Sequence, residues 1–424
     1  MARRRMDVAD LEIGMYVAEL DRPWIDSPFL FQGFVVQTAD ELQLLRETCR
    51  YVYVDDDRRE EDAEDRTIRL SINMRPQANP ERGGAEWRRI AMEERRAGFE
   101  RELQRMHAVR EHARGYVKNL MQDVRFGRAI DTDRARQVVT EMVDTITAQP
   151  DAALWLTQLK QAHEYTAQHS INVAVLSIAF AAHLGYGPEQ LKLIGLGALL
   201  HDVGKMRIPP SILDKPGRLT AQEFEVIKRH PVEGYEIVKG TGDVPPQSLE
   251  IIRYHHERVS GRGYPDGLRG DQISTAVLLT AICDVYDAIT SDRVYHHGIP
   301  ADQGLNAMYQ MAPSDFGREL VQEFIKCVGI YPVGSLVELG NGAIGVVMTR
   351  DPLNRLRPVV MLLRDSRGRD YLPRRFVSLA AQAELDHERD WTVRRVVDAR
   401  QIGIDMHALA ADELLSGGHQ VVHI

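Results

Sequence analysis

The sequence predicts a mainly α-helical protein with a small β-rich domain at its N-terminal end and a short β-rich appendage at its C-terminal end. The middle of the chain, residues 151–331, carries helix-capping patterns and long apolar stretches. Both ends instead carry short β-prone runs separated by Gly, Pro, Asn and Asp. At 424 residues the chain is too long for one ordinary core and fits two or three domains.

Residues 1–65 are predicted to form the N-terminal β-rich domain. Its β-prone runs are Met15-Tyr16-Val17, Phe34-Val35-Val36 and Tyr51-Val52-Tyr53-Val54. We interpret it as an accessory module without chemistry of its own. A charge run at 55–66 and a Pro/Asn/Gly stretch at 75–84 then predict a linker.

The segment 66–150 combines this charged linker with an amphipathic helix. Apolar residues recur there at spacings of three and four among many Glu and Arg residues, which is typical of a helix with one apolar stripe. Two interpretations stay open: the stripe packs on the catalytic domain, or it pairs with a second copy in a homodimer. The residues of the stripe are Phe99, Leu103, Met106, Val117, Leu120, Met121 and Val124.

Two helices are predicted with particular clarity in the middle segment. Thr220-Ala221-Gln222-Glu223 is a capping-box pattern that opens a helix toward His230, and Pro231 marks its end or a kink. Ser274 precedes the apolar stretch 276–289, which carries Asp284 and Asp287 on one face.

Residues 332–424 are predicted to form the C-terminal β-rich appendage and tail. Short β-prone runs at 335–339, 345–348 and 359–363 are separated by Gly, Asn-Gly and Asp turns.

Composition limits the partners and the compartment. The net charge of −9, from 53 basic and 62 acidic residues, does not predict binding to DNA or RNA. The three cysteines form no Cys-x-x-Cys pair and suit a reducing cytoplasm. The basic start has no apolar core behind it, so no signal peptide is expected. The longest apolar runs fall well short of the roughly 20 residues that span a bilayer, so we expect no transmembrane segment.

The strongest chemical signal is the pair His201-Asp202. Seven of the fifteen histidines lie between His163 and His256, including the adjacent pair His255-His256. Imidazole and carboxylate groups are ligands that suit Mn, Fe or Zn ions. The clustering therefore predicts a metal site.

The run from His255 to Leu268 reads His-His-Glu-Arg-Val-Ser-Gly-Arg-Gly-Tyr-Pro-Asp-Gly-Leu. With His201-Asp202 it resembles an HD-GYP domain, the branch of the HD phosphohydrolases that hydrolyses cyclic di-GMP. The first 60 residues, with Leu11-x-x-Gly14-Met15-Tyr16-Val17, resemble the small domain of unknown function often found ahead of HD-GYP domains. The resemblance implies an all-helical catalytic domain over 151–331.

The resemblance also implies the metal ligands. Two divalent ions, bridged by Asp202, suit phosphodiester hydrolysis because both ions stabilise charge on the attacked phosphate. Fe or Mn is favoured, and the same ligands accept Zn, Co or Ni. The positions that match the family's ligands are His169, His201, Asp202, His230, His255, His256 and Asp284.

The number of ions is predicted to be two. In the family a third ion is helped by a carboxylate four residues before the first histidine, where this chain has Tyr165. Glu164 is one residue away and points about 100° aside on a helix, and it stays open as an outer ligand. His163 and His183 fit no ligand position and are expected to be exposed or packed.

Lys205 follows the His-Asp pair in His-Asp-Val-Gly-Lys and is predicted to act in catalysis with Asp202. Its ammonium group could hold a phosphate oxygen or assist the leaving group. The alternative is an exposed lysine at a helix end that interacts with the helix dipole.

The substrate is predicted to contact the Gly263-Tyr264-Pro265 loop and nearby basic groups. In the family this loop shapes the cyclic di-GMP pocket and is linked to contacts with diguanylate cyclase domains. Arg258 adds positive charge beside it, and Arg293 matches a family arginine that binds phosphate. The family usually has Pro and a second basic residue after that arginine, where this chain has Val294 and His296. His296 is therefore expected to give a weaker or pH-sensitive contact.

The sequence thus predicts a cytoplasmic bacterial signalling enzyme, a metal-dependent phosphodiesterase that opens cyclic di-GMP to pGpG, with further cleavage to GMP left open. Links to motility and biofilm control are implied by the resemblance alone. Two alternatives stay open: a cyclic di-GMP receptor with little turnover, and an HD hydrolase that acts on another nucleotide.

Overall fold

A computed structural model describes residues 4–21, 34–36, 39–55, 85–159, 165–215, 217–291, 298–351 and 354–411. The chain divides into two compact units, Met1–Arg75 and Pro76–Ile424. The predicted linker at 56–84 lies outside the described residues.

The described residues of the first unit form a four-stranded antiparallel sheet, a short 3-10 turn and one α-helix. The sheet order is β1-β4-β2-β3, and the apolar residues of its core include Val17, Leu45 and Val52. The three predicted strands are confirmed, whereas β1 and the helix were not predicted. Its elements are β1 (Arg4–Asp7), β2 (Tyr16–Leu20), β3 (Phe34–Val35), α1 (Ala39–Thr48) and β4 (Tyr51–Val54).

The second unit is built mainly from helices, as predicted. Two 3-10 turns, Val203–Arg207 and Gly270–Gln272, interrupt the helical part. Its helices are α2 (Ala85–Arg125), α3 (Thr132–Ala148), α4 (Pro150–Thr157), α5 (Tyr165–His183), α6 (Pro188–Leu200), α7 (Pro210–Leu213), α8 (Ala221–Ile227), α9 (His230–Lys239), α10 (Pro246–Tyr254), α11 (Thr275–Thr290), α12 (Ala301–Asp315) and α13 (Arg318–Val328).

The apolar stripe predicted on the charged segment lies on α2 and is buried within this chain. Leu103, Met106 and Val117 have no exposed surface, and α2 packs on α3, α4 and α5. The helix is therefore held by intramolecular packing, the first of the two interpretations that the sequence left open.

Local signals set the ends of the helices that carry the chemistry. Thr220 and Glu223 form the predicted capping box at the start of α8. Pro231 lies in the first turn of α9, where its missing N–H costs nothing. Ser274 caps α11 through the backbone N–H of Val277, as expected.

The C-terminal part of the second unit is a five-stranded antiparallel sheet of order β8-β7-β6-β5-β9. The three predicted strands are confirmed, and β8 and β9 complete the sheet. Asp151, in the first turn of α4, accepts hydrogen bonds from the backbone and the guanidinium of Arg350 and so ties the sheet to the helices. The elements are β5 (Leu336–Leu339), β6 (Ile344–Thr349), β7 (Val359–Arg364), β8 (Asp370–Ser378), α14 (Leu379–Leu385), β9 (Val393–Val397), α15 (Ala399–Ile402) and α16 (Met406–Leu409).

Within the described ranges, the structure contains no helix that combines the length and the apolar character needed to cross a membrane.

Candidate metal centre

The seven predicted ligands come together in the interior of the helical part. They are brought there by the N-terminal part of α5, the ends of α6 and α10, the start of α9 and the middle of α11. Six are buried, and His256 is half-buried. In three overlapping groups, one ligand atom from each residue lies within 4.8 Å of the others. The groups are His230/His255/His256, His169/His201/Asp202 and His201/His255/Asp284.

Hydrogen bonds fix the orientation of four imidazole rings. The Nδ1 atoms of His201, His230 and His255 each lie 2.7–2.9 Å from the backbone oxygen three residues earlier, and a carbonyl oxygen can only accept. In His169 the same atom faces Asp287 at 2.7 Å. Nδ1 is therefore the protonated nitrogen, and the lone pair of Nε2 is left for a metal ion.

The two oxygens of Asp202 face different groups of ligands. Oδ2 lies 3.4 Å from His201 Nε2 and 3.7 Å from His169 Nε2. Oδ1 lies 3.3 Å from His230 Nε2. Asp284 Oδ1 adds a second carboxylate 3.0 Å from His169 Nε2. A carboxylate whose two oxygens face different ligand groups, as in Asp202, can bind one metal ion with each oxygen.

The arrangement of lone pairs fits a cation. His230 Nε2 and His255 Nε2 are 3.2 Å apart, and both nitrogens carry lone pairs when Nδ1 is protonated. His201 Nε2 and Asp202 Oδ1 are buried and find no hydrogen-bond partner among the described residues. A buried acceptor without a donor is costly. The residues present therefore fit bound divalent ions.

The charges of the site also favour bound divalent ions. Burial raises the pKa of Asp202, but its interactions with His201 and with the ammonium group of Lys205 outweigh burial and hold this pKa well below its usual range. Burial lowers the pKa of His255 and of His256, which keeps these imidazoles in the neutral form that binds metals. Burial also lowers the pKa of His169, but hydrogen bonds to Asp284 and Asp287 raise it to about 9, so a metal ion bound at Nε2 would replace a proton there. The negative charge of the carboxylates of Asp202, Asp284 and Asp287 therefore favours a positive charge in the site.

A close approach of two backbones places Asp202 beside His230. A Cβ atom on Gly204 would lie 2.0 Å from the carbonyl oxygen of His230 and 2.5 Å from the amide nitrogen of Gly234. Only glycine therefore allows the 3-10 turn to pack this tightly on α9. Lys205, at the end of the same turn, donates to Asp202 Oδ2 at 2.5 Å and is half-buried. It is held against a ligand rather than free at a helix end.

The Gly263-Tyr264-Pro265 loop packs directly on the His255-His256 segment, and its Tyr-Pro peptide is cis. A Cβ on Gly263 would lie 2.4–2.6 Å from backbone atoms of residues 256–258, which explains why this position is glycine. Tyr264 donates its N–H to the carbonyl oxygen of His256, and its ring stacks on His256 with centroids 4.6 Å apart. The loop therefore forms a wall of the metal centre.

Glu257 holds this loop from inside and was not predicted from the sequence. Its buried carboxylate accepts hydrogen bonds from the backbone N–H groups of Asp266, Gly267 and Leu268 at 2.7, 2.9 and 3.0 Å. The acid next to the paired histidines offered no pattern that distinguished it from a surface glutamate.

Asp287 is the second residue whose role the sequence did not reveal. Its Oδ2 accepts from His169, and its Oδ1 accepts from Asn172 Nδ2 at 2.9 Å. The residue lies one turn after Asp284 on the same helix face, a spacing that the sequence did show.

Of the three basic residues predicted to contact the substrate, only Arg258 lies within the described part of the chain. Arg258 donates to the carbonyl oxygens of His255 and Glu257, lies over the ring of Phe316 and is 3.8 Å from Asp315. Its guanidinium supports the loop, and its contact with substrate stays a prediction. Arg293 and His296 lie outside the described residues, as do Glu164 and His163. His183, which was not predicted as a ligand, packs at the end of α5 against Glu323.

Comparison with known proteins agrees with this architecture. Residues 3–135 match the family described as Domain of unknown function (DUF3391), and residues 152–320 match the family described as HD domain. The chain is 36% identical over 389 residues to Cyclic di-GMP phosphodiesterase PA4108 of Pseudomonas aeruginosa, and the alignment covers 90% of each protein. The chain belongs to the HD-GYP family. The resemblance inferred from the His-Asp pair and the Gly-Tyr-Pro loop is confirmed.

Shorter matches connect this HD-GYP protein to two further relatives. It is 43% identical over 131 residues to Cyclic di-GMP phosphodiesterase response regulator RpfG of Xanthomonas campestris, covering 30% of this chain and 34% of that protein. It is 37% identical over 148 residues to 3'3'-cGAMP-specific phosphodiesterase 1 of Vibrio cholerae, covering 34% of this chain and 33% of that protein. Their names contain two different cyclic dinucleotides, so similarity to these proteins does not by itself fix the dinucleotide.

Proposed function

We propose that this protein is a metal-dependent phosphodiesterase that hydrolyses cyclic di-GMP to pGpG in bacterial second-messenger signalling. The observation that carries the proposal is the buried cluster of seven histidine and aspartate ligands with the Gly263-Tyr264-Pro265 loop stacked on its rim. The relative that aligns along nearly the whole chain is named for the same activity, which supports this substrate.

The site would hold two divalent ions, Fe or Mn, with Asp202 between them. Support comes from the two oxygens of Asp202, which face His169 and His201 on one side and His230 on the other. When bound, such ions act as Lewis acids toward the phosphodiester and make nearby water more acidic. Zn, Co and Ni fit the same ligand types. Metal analysis of protein purified without chelator tests the number: about two ions per chain is expected, and three would contradict the proposal.

Lys205 would neutralise negative charge at the reacting phosphate. Its ammonium group is fixed 2.5 Å from Asp202, yet about a quarter of its side chain, 23%, remains exposed. A phosphate oxygen beside the metal ligands can therefore accept a hydrogen bond from the same group. Lys205→Ala is expected to lower turnover while the metal stays bound. Full activity of this variant would remove Lys205 from the mechanism.

The substrate would lie between the metal ligands and the loop, with Gly263, Tyr264 and Pro265 shaping the pocket. Arg258, Arg293 and His296 are proposed to add positive charge for a doubly anionic ligand. If His296 is the second phosphate contact, His296→Lys tightens binding of cyclic di-GMP, because lysine is charged at neutral pH. Unchanged affinity would exclude His296 from the phosphate site.

A second candidate is a phosphodiesterase for another cyclic dinucleotide. The similarity to a 3'3'-cGAMP-specific enzyme gives this alternative a specific basis. A panel of cyclic di-GMP, 3'3'-cGAMP and cyclic di-AMP separates the candidates, since the preferred substrate is the one with the highest kcat/KM. A receptor with little turnover would bind cyclic di-GMP and leave it intact.

The first experiment is hydrolysis of cyclic di-GMP by protein loaded anaerobically with Fe(II) or Mn(II), with products separated by chromatography. The control is the double variant His201→Ala, Asp202→Ala, which lacks two central ligands. Turnover by the wild type alone supports the proposal, and the product distinguishes a stop at pGpG from further cleavage to GMP. Binding without turnover contradicts it and favours the receptor.

Partners and location follow from the same proposal. We propose a cytoplasmic enzyme, in keeping with its three buried cysteines. Contacts with diguanylate cyclase proteins would use the Gly263-Tyr264-Pro265 loop, which a pull-down with a loop variant tests. A homodimer would need a surface other than the stripe on α2, because that stripe is already buried. Measurement of mass in solution decides between monomer and dimer.

A further inference from the structure

Phe224 is an exposed aromatic residue beside the metal centre. It lies on α8, and 46% of its surface is accessible, although phenylalanine usually lies in a core. Its ring is 6.5 Å from that of Tyr264, at an interplanar angle of 82°. Since Tyr264 stacks on His256, a continuous series of rings runs from the metal ligands to Phe224.

The short helix that carries Phe224 is held firmly in place. Thr220 and Glu223 exchange hydrogen bonds at its start, and Lys215 binds both carboxylate oxygens of Glu223 at 2.7 and 2.6 Å. The capping box and this ion pair fix the backbone without any help from the ring of Phe224. The exposed ring is therefore not needed to hold the helix.

A cation lies beside the same two rings. The Nζ atom of Lys228 is 5.5 Å from the ring centroid of Phe224 and 6.0 Å from that of Tyr264. Glu225, which is largely exposed, pairs with this ammonium group at 2.5 Å. The rings of Phe224 and Tyr264 thus form a nearly perpendicular corner with a hydrogen-bond donor beside it.

We propose that Phe224 binds one guanine base of the dinucleotide, with Tyr264 as the second side of the corner and Lys228 as a donor to the base. This inference rests on the proposed function, since it assumes a cyclic dinucleotide whose phosphate lies at the metal ligands. Nucleobases stack on aromatic side chains. The O6 and N7 atoms of guanine are both acceptors, which suits the ammonium group of lysine. Adenine instead presents an amino group at the position of O6, so Lys228 favours guanine.

The test separates binding of the base from binding of the phosphate. Full-length protein loaded with Mn(II) is titrated calorimetrically with GMP and with ribose 5-phosphate, which lacks the base. We expect the wild type to bind GMP at least about fivefold more tightly than ribose 5-phosphate, because stacking of one base on an aromatic residue contributes at least about this factor. Phe224→Ala should lose most of this preference, and Phe224→Trp should keep it.

Phe126→Ala is a matched control, because Phe126 is also exposed and has a cation, Arg128, over its ring. This control should keep the wild-type preference for GMP. Equal preference in the wild type and Phe224→Ala, or no preference in the wild type, would overturn the inference. A thermal melt of each variant identifies any loss of folding, and Phe224→Trp still tests the inference if the alanine variant is unstable.

Failure of this inference is distinguishable from failure of the proposed function. If the wild type hydrolyses cyclic di-GMP but Phe224→Ala binds GMP unchanged, the activity stands and the stacking role is wrong. If the preference for GMP depends on Phe224 but cyclic di-GMP is left intact, the base site stands and the proposed activity is wrong.

Discussion

His169 and Asp287 form a buried hydrogen bond of 2.7 Å between Nδ1 and Oδ2. The carboxylate also accepts from Asn172, so that both of its oxygens are engaged and its position is fixed. With Nδ1 held in this way, the Nε2 atom of His169 faces Asp284 and Asp202. Asp287 is therefore a positioning residue for the metal centre.

The variant Asp287→Asn is expected to bind metal about 10–100-fold more weakly, the usual effect of losing a carboxylate behind a ligating histidine. The amide keeps the shape of the side chain, but only one of its two polar atoms can accept. Competition with a chelator of known affinity measures the change. Asp144→Asn, at an exposed position on α3, is the control. Equal metal affinity of wild type and Asp287→Asn would show that His169 needs no such partner.

The cluster of histidines and aspartates could be predicted from the sequence, whereas the residues that support it could not. His201-Asp202 and His255-His256 are adjacent residues whose types already indicate metal binding. Glu257 and Asp287 act through partners 9 to 118 residues away in the chain, and only folding brings these together. For the same reason, nothing in the sequence indicated that Phe224 would lie beside Tyr264.

Gly263→Ala is expected to lower turnover by about tenfold or more. The added Cβ would meet backbone atoms of residues 256–258 at 2.4–2.6 Å, and backbone cannot move aside as a flexible side chain can. The loop must shift, and displacement of about 1 Å near reacting groups can cost this much or more. Steady-state kinetics with cyclic di-GMP measures the effect.

Gly115→Ala provides the control for this substitution. Gly115 lies within α2 with open space around it, and alanine is the better helix former there by about 0.5–1 kcal/mol. We expect wild-type turnover and equal or greater stability. If Gly263→Ala is as active as Gly115→Ala, the position of the loop has no influence on catalysis.

Glu257→Gln is expected to loosen the loop. The neutral side chain weakens the hydrogen bonds from Asp266 and Gly267, and its amide group would face the N–H of Leu268, donor against donor. Loss of such buried bonds costs about 1–3 kcal/mol. Hydrogen exchange of the amides at 266–268 should become faster. Glu236→Gln, at an exposed position on α9, should leave these rates unchanged. Protection equal to the wild type in Glu257→Gln would contradict this role.

The fold could be predicted in outline, and the features that the sequence left open or did not reveal have physical causes. The stripe on α2 had two interpretations because periodicity shows which face is apolar but not what covers it. Helices α3, α4 and α5 cover it, which only the tertiary structure reveals. Strand β8 carries the exposed Leu372 and two arginines, so it lacks the β-prone apolar run by which β5, β6 and β7 were predicted.

The pair His183–Glu323 predicts a pH-dependent contribution to stability away from the metal centre. Burial raises the pKa of Glu323, but hydrogen bonds from His183 and Lys326 outweigh burial and lower the pKa to about 2 from 4.5. Because the folded state binds the proton less tightly, ionised Glu323 stabilises the fold above about pH 4.5. This stabilisation is lost as the pH falls toward about 2.

Glu323→Gln should therefore lower the stability of the second unit by about 1–2 kcal/mol at pH 7, and the difference from the wild type should shrink below about pH 4.5. Thermal unfolding at a series of pH values measures it. Glu319→Gln, an exposed change on the same helix α13, should have little effect at any pH. A difference between wild type and Glu323→Gln that stays constant from pH 7 to pH 3 would mean that packing of the side chain, and not its charge, is what stabilises the helix.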